Sequence, residues 1–337
     1  MGHFVACLDL WAPAVRKVVQ QVAPPELDLH FATSYDEAVQ LALVRDAEII
    51  FAGWAAVTRP MLEHARKLRM IEKWGIGVDR IDVAAAREMN IPLAITAGSN
   101  AGPVSELTIG LMLAVYRRIA HVDRALRQGQ WLKSEMREIG YQIAGKTVGI
   151  YGLGNIGRKV AQRLQGFECE VIYHDAWRAT AAVEQGLRAR YVERDALFSQ
   201  SDILTLHAPF IPDTAQVLNA QRIASMKDGA ILINTARGEL VDEAALYAAL
   251  VAGKLRGAGL DAFAVEPVEP GNPLLTLDQV VVTPHVGGAV FDNVENVARH
   301  ALGNIMKVLR GEPLAAQDVI VPVPLAQGVP LAQGVAT

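Results

Sequence analysis

Gly152-x-Gly154-x-x-Gly157 is the chain's densest run of residues whose spacing serves a chemical purpose. An apolar run with Val148 and Ile150 stops at Gly152. A helix-like pattern (Val160, Ala161, Leu164) follows, and a second apolar run, Val171-Ile172-Tyr173, ends at Asp175. Strand, glycine turn, helix, strand and acid in this order form a cradle for a dinucleotide. Gly152 permits the tight turn, Gly154 lets backbone approach a pyrophosphate, and Gly157 lets the helix pack on the strand. The N–H groups of Asn155 and Ile156 then face the phosphates, where the helix dipole favours negative charge. Asp175, 18 residues after Gly157, is spaced to accept hydrogen bonds from the adenosine ribose. It would repel a 2′-phosphate, so NAD is expected in preference to NADP. Arg178 is read as a solvated side chain.

Three more groups follow strand-like runs: Thr235-Ala236-Arg237-Gly238, Asp261 with Glu266-Pro267, and Pro284-His285-Val286-Gly287-Gly288. In an open parallel sheet, ligands bind beyond the carboxyl ends of the strands. A guanidinium pairs two carboxylate oxygens in a fixed plane and stabilises negative charge developing on a carbonyl oxygen. An imidazole exchanges protons near neutral pH, and a carboxylate beside it fixes the ring and favours its charged form. Arg237, His285 and Glu266 could together clamp an anionic substrate and exchange a proton beside a bound dinucleotide. Singly, each has a plainer reading as an ion-pair partner, a structural histidine or a turn. Their common position after strand ends favours the chemical one.

The elements that must hold these groups alternate. Strand-like runs fall at Phe4–Leu8, Leu27–Phe31, Ile49–Phe51, Met70–Glu72 and Leu93–Ile95, with helical patterns at Pro13–Val22, Tyr35–Val44, Pro60–Arg66 and Ile81–Met89. Such alternation predicts a parallel sheet with helices on both faces. A longer helix is expected over 101–120. Strands follow at Ile203–His207, Ala230–Asn234, Gly257–Leu260 and Val280–Thr283, then a helix over Val290–Leu309. The reading is two domains: residues 101–288 bind the cofactor and are inserted into a domain built from 1–100 and 289–337. The tail repeats Val-Pro-Leu-Ala-Gln-Gly at 323–328 and 329–334, and its prolines and glycines argue against a helix.

The bulk numbers agree. The chain has 337 residues, 51% hydrophobic and 20% charged, with net charge −4. That fits a globular α/β protein with two cores and gives no basic surface for nucleic acid or an anionic membrane. The longest apolar stretch, Leu107 to Tyr116, is too short for a bilayer, and the N-terminus reads as no signal peptide. Cys7 and Cys169 read as structural thiols of a cytoplasmic protein.

The chain resembles the D-isomer-specific 2-hydroxyacid dehydrogenase family through seven ordered motifs. These are Trp74-Gly-Ile-Gly-Val-Asp-Arg-Ile-Asp82, Ser105-Glu106-Leu107, the Gly152 motif, His207-Ala208-Pro209 with Thr214, Asn234-Thr-Ala-Arg-Gly238, Leu260-Asp261 with Glu266-Pro267, and Thr283-Pro-His-Val-Gly-Gly288. The resemblance implies two doubly wound parallel-sheet domains, a Rossmann cofactor domain inserted into a flavodoxin-like substrate domain. It implies Arg237, Glu266 and His285 as the catalytic set. His207, Ala208, Pro209, Thr214, Thr235, Ala236, Arg237, Asp261, His285 and Gly288 join Gly152, Gly154, Asn155, Ile156, Gly157 and Asp175 around NAD. Ile76 and Gly77, with Arg237 and His285, would bind substrate, and no metal is implied. Formate-oxidising relatives carry Gln at the Glu266 position, so Glu266 points to a group that exchanges a proton. The turn Ala52-Gly53-Trp54-Ala55-Ala56 has no Lys or Arg, and Arg59 and Lys73 read as solvated. The expected substrate is therefore a small unphosphorylated 2-oxo acid such as glyoxylate, hydroxypyruvate or pyruvate, with phosphoglycerate and phosphite as alternatives. A homodimer through the cofactor domain is expected, its arm near Gly129-Gln130-Trp131. The competing reading is an NADH-sensing corepressor-like binding protein.

Overall fold

The structure, a computed structural model, describes residues 2–323. The duplicated tail segment therefore lies, from Pro324 on, outside the described residues. The chain divides into two compact units. One runs to Ser99 and resumes at Phe291, and the other is Asn100–Val290.

The first unit alternates β1 (His3–Cys7), α1 (Pro13–Val22), β2 (Leu27–Phe31), α2 (Glu37–Val44), β3 (Ile49–Ala52), α3 (Arg59–His64), β4 (Met70–Lys73), α4 (Val83–Glu88) and β5 (Leu93–Ile95). Short side chains start several helices. Asp36 accepts from the Ala38 and Val39 N–H groups, and Asp82 from Ala85 N–H, satisfying donors the first turn leaves open.

The second unit contains α5 (Ala101–Tyr116), α6 (Ile119–Arg127), α7 (Met136–Ile139), β6 (Thr147–Tyr151), α8 (Asn155–Leu164), β7 (Glu170–His174), α9 (Ala181–Leu187), β8 (Ala189–Tyr191), α10 (Arg194–Gln200), β9 (Ile203–Leu206), α11 (Ala220–Ser225), β10 (Ala230–Asn234), α12 (Glu243–Val251), β11 (Leu255–Leu260) and β12 (Val280–Val282). Its parallel sheet is ordered β12-β11-β10-β9-β6-β7-β8, so the strand order reverses between β6 and β9. This is the Rossmann arrangement. The helix expected over 101–120 stops at Tyr116, because Arg118 turns left-handed (φ +51°) before α6 begins.

The chain re-enters the first unit through α13 (Val294–Arg310), preceded by a 3₁₀ turn at Phe291–Asn293, and ends its described part in β13 (Val319–Val321). The sheet order is β13-β5-β4-β3-β1-β2. Without β13 this is the flavodoxin-like order, and β13 adds an antiparallel edge strand that the parallel expectation did not contain.

Residue alternation builds both faces of each sheet. In the first unit Ala6, Leu8, Ile50 and Ala52 enter one core, while Val5, Cys7, Ile49 and Phe51 enter the other beneath α13. In the second, Leu204, Leu206 and Leu232 pack on one side and Val148, Ile150, Ile231 and Ile233 on the other. Cys7 and Cys169 are unbridged, and burial pushes both thiols up. Among the described residues no helix is long and apolar enough to cross a membrane.

Candidate active site

The glycine cradle lies at the reversal of strand order. Gly152 has φ +97°, and a Cβ there would come within 2.7 Å of Ala208 N, so the end of β6 and the loop after β9 touch backbone to backbone. A Cβ on Gly157 would meet Gly152 O at 2.1 Å, which forces glycine where α8 crosses the strand end. Gly154 is different: a Cβ there meets nothing within 4 Å. The space over Gly154, with Asn155 and Ile156 opening α8, fits a pyrophosphate. Asp175 ends β7 beside this turn. Its Oδ2 accepts from Leu153 N–H (2.6 Å) and its Oδ1 from Trp177 N–H (3.2 Å).

Arg178 is exposed, as expected, and it is also paired. Both Nε and Nη2 donate to Glu184, at 2.9 and 3.1 Å. His207 pairs through Nε2 with Thr205 Oγ1 (2.9 Å), while its buried Nδ1 meets no partner. Burial pushes its pKa down to about 3, so the ring is neutral. Ala208 and Pro209 continue this loop. Thr214 Oγ1 donates to Pro209 O (2.7 Å) and accepts from Ile211 N–H (2.9 Å), so it braces the loop from within.

The three groups after β10, β11 and β12 are tied by side chains buried beneath them. Asn234 accepts from Ala236 N–H at 3.0 Å and donates to Arg237 O at 2.8 Å, pinning the turn that presents Arg237. Thr235 Oγ1 meets Thr108 Oγ1 at 2.9 Å in the interior. Gly238 leaves no room for a side chain, since a Cβ would lie 1.8 Å from the Phe263 carbonyl carbon. The Arg237 turn therefore packs on the segment that carries Glu266.

Glu266 Oε1 accepts from Phe263 N–H (2.9 Å), and Oε2 faces His285 Nδ1 at 2.8 Å. Burial pushes the Glu266 carboxyl up. The His285 hydrogen bond, the Phe263 N–H and the charges of His285 and Arg237 outweigh it and hold the group below its ordinary value. Glu266 thus feels Arg237 and His285 together. His285 itself sits in the left-handed region (φ +53°), a conformation that persists only where surroundings impose it. Asp261 imposes it. Its carbonyl accepts from His285 N–H (2.9 Å), and its buried carboxylate accepts from Thr283 Oγ1 (2.6 Å), Val286 N–H and Gly287 N–H (both 2.8 Å). Asp261, expected among the cofactor contacts, thus holds the histidine loop, and Gly288 ends that loop against Asn100. Asn234 and Gly238 stood in a quoted motif without a site role, because their work is internal.

In the first unit, Ile76 and Gly77 follow a turn at Gly75 (φ +105°), whose N–H donates to Thr96 Oγ1 (2.8 Å). Asp9 accepts from the Gly53, Trp54 and Ala55 N–H groups. The turn counted as free of cations meets two of them. Lys73 Nζ donates to Gly53 O (2.6 Å) and Trp74 O (2.8 Å), and the Arg80 guanidinium lies 4.6 Å from the Trp54 ring centre. Lys73 ends β4 and Arg80 lies in the loop before α4, so inspection of residues 52–56 alone reveals neither. Arg59 pairs with Glu88 at 2.6 Å, and neither it nor Lys73 is merely solvated.

A family model, D-isomer specific 2-hydroxyacid dehydrogenase, NAD binding domain, matches residues 109–287. The chain belongs to this family. It is 42% identical over 255 residues to hydroxypyruvate reductase of Thermotoga maritima, covering 75% of this chain and 81% of that one. It is 34% identical over 318 residues to glyoxylate reductase of Korarchaeum cryptofilum, covering 93% and 90%. A solved NAD-dependent formate dehydrogenase of Staphylococcus aureus, in complex with NAD, superposes with TM-score 0.84 at 26% identity, covering 94% and 99%. The chain is an NAD-dependent oxidoreductase acting on 2-oxo acids and D-2-hydroxy acids.

Proposed function

We propose that Arg237 and the Glu266–His285 pair carry the reaction, and that the substrate is a small unphosphorylated 2-oxo acid such as glyoxylate, hydroxypyruvate or pyruvate. The observation behind the first part is the 2.8 Å contact between His285 Nδ1 and an ionised Glu266. Glu266 accepts from Nδ1–H, which leaves Nε2 as the atom that meets substrate. NADH, when bound, supplies the hydride to the carbonyl carbon. The imidazolium Nε2–H donates to the carbonyl oxygen, and its proton ends on the new hydroxyl. His285 is left neutral, with its remaining proton on Nδ1 against Glu266. In the reverse direction, neutral Nε2 takes the hydroxyl proton. Arg237 pairs the substrate carboxylate and stabilises charge on the carbonyl oxygen. Ile76 and Gly77 of the first unit are assigned to substrate binding.

Gly152, Gly154, Asn155, Ile156 and Gly157 are assigned to the pyrophosphate and Asp175 to the adenosine ribose. His207, Ala208, Pro209, Thr235, Ala236, Asp261 and Gly288 are assigned to the remainder of the cofactor cleft, with Thr214 acting through its loop. The carboxylate at the end of β7 supports NAD over NADP. The unphosphorylated substrate is supported by Lys73, whose ammonium is engaged by two backbone carbonyls. Exposed apolar side chains on and after α6 (Ile119, Leu126 and Trp131) support a homodimer through this unit, which light scattering tests. The unbridged thiols support a cytoplasmic setting.

Steady-state turnover of a panel of 2-oxo acids with NADH and NADPH tests the whole reading. Glyoxylate, hydroxypyruvate or pyruvate should give the highest kcat/KM, and NADH should be preferred. A phosphorylated acid turned over best would refute the substrate assignment.

A further inference from the structure

We infer that Glu184 is a positioning residue for cofactor choice: by holding Arg178, it withholds the cation that follows Asp175 most closely in the sequence from a 2′-phosphorylated dinucleotide. The inference rests on the assignment of Asp175 to the adenosine ribose. At this place in a Rossmann unit an arginine near the strand end accommodates the 2′-phosphate. Arg178 is three residues past Asp175, so the chain carries such a cation in its sequence.

The structure turns that cation away. Arg178 donates to both oxygens of Glu184 in a two-pronged pair, and its guanidinium packs 5.3 Å from the Tyr191 ring centre. Glu184 is the fixed partner. Its side chain is 15% exposed against 64% for Arg178. Its Oε1 also accepts from Tyr173 OH at 2.8 Å, and Tyr173 is wholly buried in β7. The tyrosine oxygen accepts in turn from Ala179 N–H (2.9 Å), which fastens the loop just after Arg178. The bonds from Arg178 and Tyr173 keep the Glu184 carboxyl below its ordinary value, so the clamp stays charged at neutral pH. Selection against a 2′-phosphate then has two parts, a facing carboxylate and a cation anchored elsewhere.

Calorimetric binding of 5′-AMP and adenosine 2′,5′-bisphosphate to the full chain separates the parts without turnover. Glu184→Gln keeps a hydrogen-bonding partner for Tyr173. An exposed ion pair of ordinary strength corresponds to a change of up to about fivefold. In an Asp175→Ser background, Glu184→Gln should tighten the bisphosphate by about threefold and leave 5′-AMP within about twofold. Adding Arg178→Ala should return the bisphosphate to the Asp175→Ser value. Tyr173→Phe should act in the same direction as Glu184→Gln, more weakly. The proposal is overturned if Glu184→Gln adds nothing, or if its gain survives Arg178→Ala. If Asp175→Ser alone leaves the ratio of the two ligands unchanged, the ribose assignment fails instead. The Glu184 and Arg178 comparison in the unaltered chain then still decides this one.

Discussion

His285 Nδ1 lies 2.8 Å from Glu266 Oε2, although the two residues hang from different strands and each is held by its own backbone anchor. Glu266 is fixed by Phe263 N–H and His285 by the Asp261 carbonyl. A contact made between two separately anchored groups is already in place before substrate arrives. His285→Gln should therefore lose about 10²–10⁴ in kcat, the usual contribution of a positioned proton donor. NADH affinity, read by fluorescence titration, should stay within about twofold. Retained turnover would remove the assignment.

Glu266 is held ionised below its ordinary range, so the stability its charge contributes is present in full above that range. That contribution is lost as pH falls through the native value. Wild type and Glu266→Gln should thus differ in urea stability at pH 7 and converge only once pH has fallen below the native carboxyl value, which lies under the ordinary Glu value. A gap that widens in acid would contradict the pairing.

His207 has the opposite consequence. It stays neutral in the folded chain down to about pH 3, while the unfolded chain takes up the proton near the ordinary value of 6.5. Stability should fall as pH drops through this window, by up to about 1.4 kcal/mol per pH unit from this ring alone. His207→Gln should have the shallower acid dependence in urea unfolding without cofactor. Equal slopes would show that the ring protonates in place.

The glycines of the cradle should divide by role. Gly154→Val adds atoms only to open space, so the unfolding midpoint should hold while NADH binding weakens by about tenfold or more. Gly157→Val drives a side chain into Gly152 O and should cost stability first, by about 2 kcal/mol or more. Thermal unfolding beside a fluorescence titration distinguishes them.

Asn234→Ala removes both bonds that pin the Arg237 turn and leaves the buried Ala236 N–H unpaired, while Arg237 O keeps only the longer bond from Leu240 N–H (3.3 Å). It should cost about 1–3 kcal/mol of stability, and kcat/KM should fall more than NADH affinity does. An unchanged kcat/KM would mean that the turn holds its shape without this side chain.

The architecture was legible where local pattern decides it. The runs at Leu27–Phe31, Leu93–Ile95 and Ala230–Asn234 coincide with strands, because alternate residues of Ala230–Asn234 enter two cores and Leu27, Leu29 and Phe31 enter one while Asp28 and His30 face outward. The break at Arg118 was not legible, since a left-handed residue between two helices leaves no mark in apolar periodicity. Strand β13 was missed because three residues near a Pro-rich tail carry too little pattern, and only its pairing with β5 makes it a strand. At the site, spacing singled out residues that follow the strand ends. Asn234, Gly238 and the clamping role of Asp261 are inward-facing supports whose partners lie far along the chain. Lys73 and Arg178 have partners that the sequence does not show for the same reason: a long cation finds its partner in space.

Because β13 and α13 come from the far end of the chain, the first unit is finished last during synthesis. The strands up to β5 are made with the edge of β5 unpaired and the face later covered by α13 exposed, and they stay so while the contiguous second unit is made.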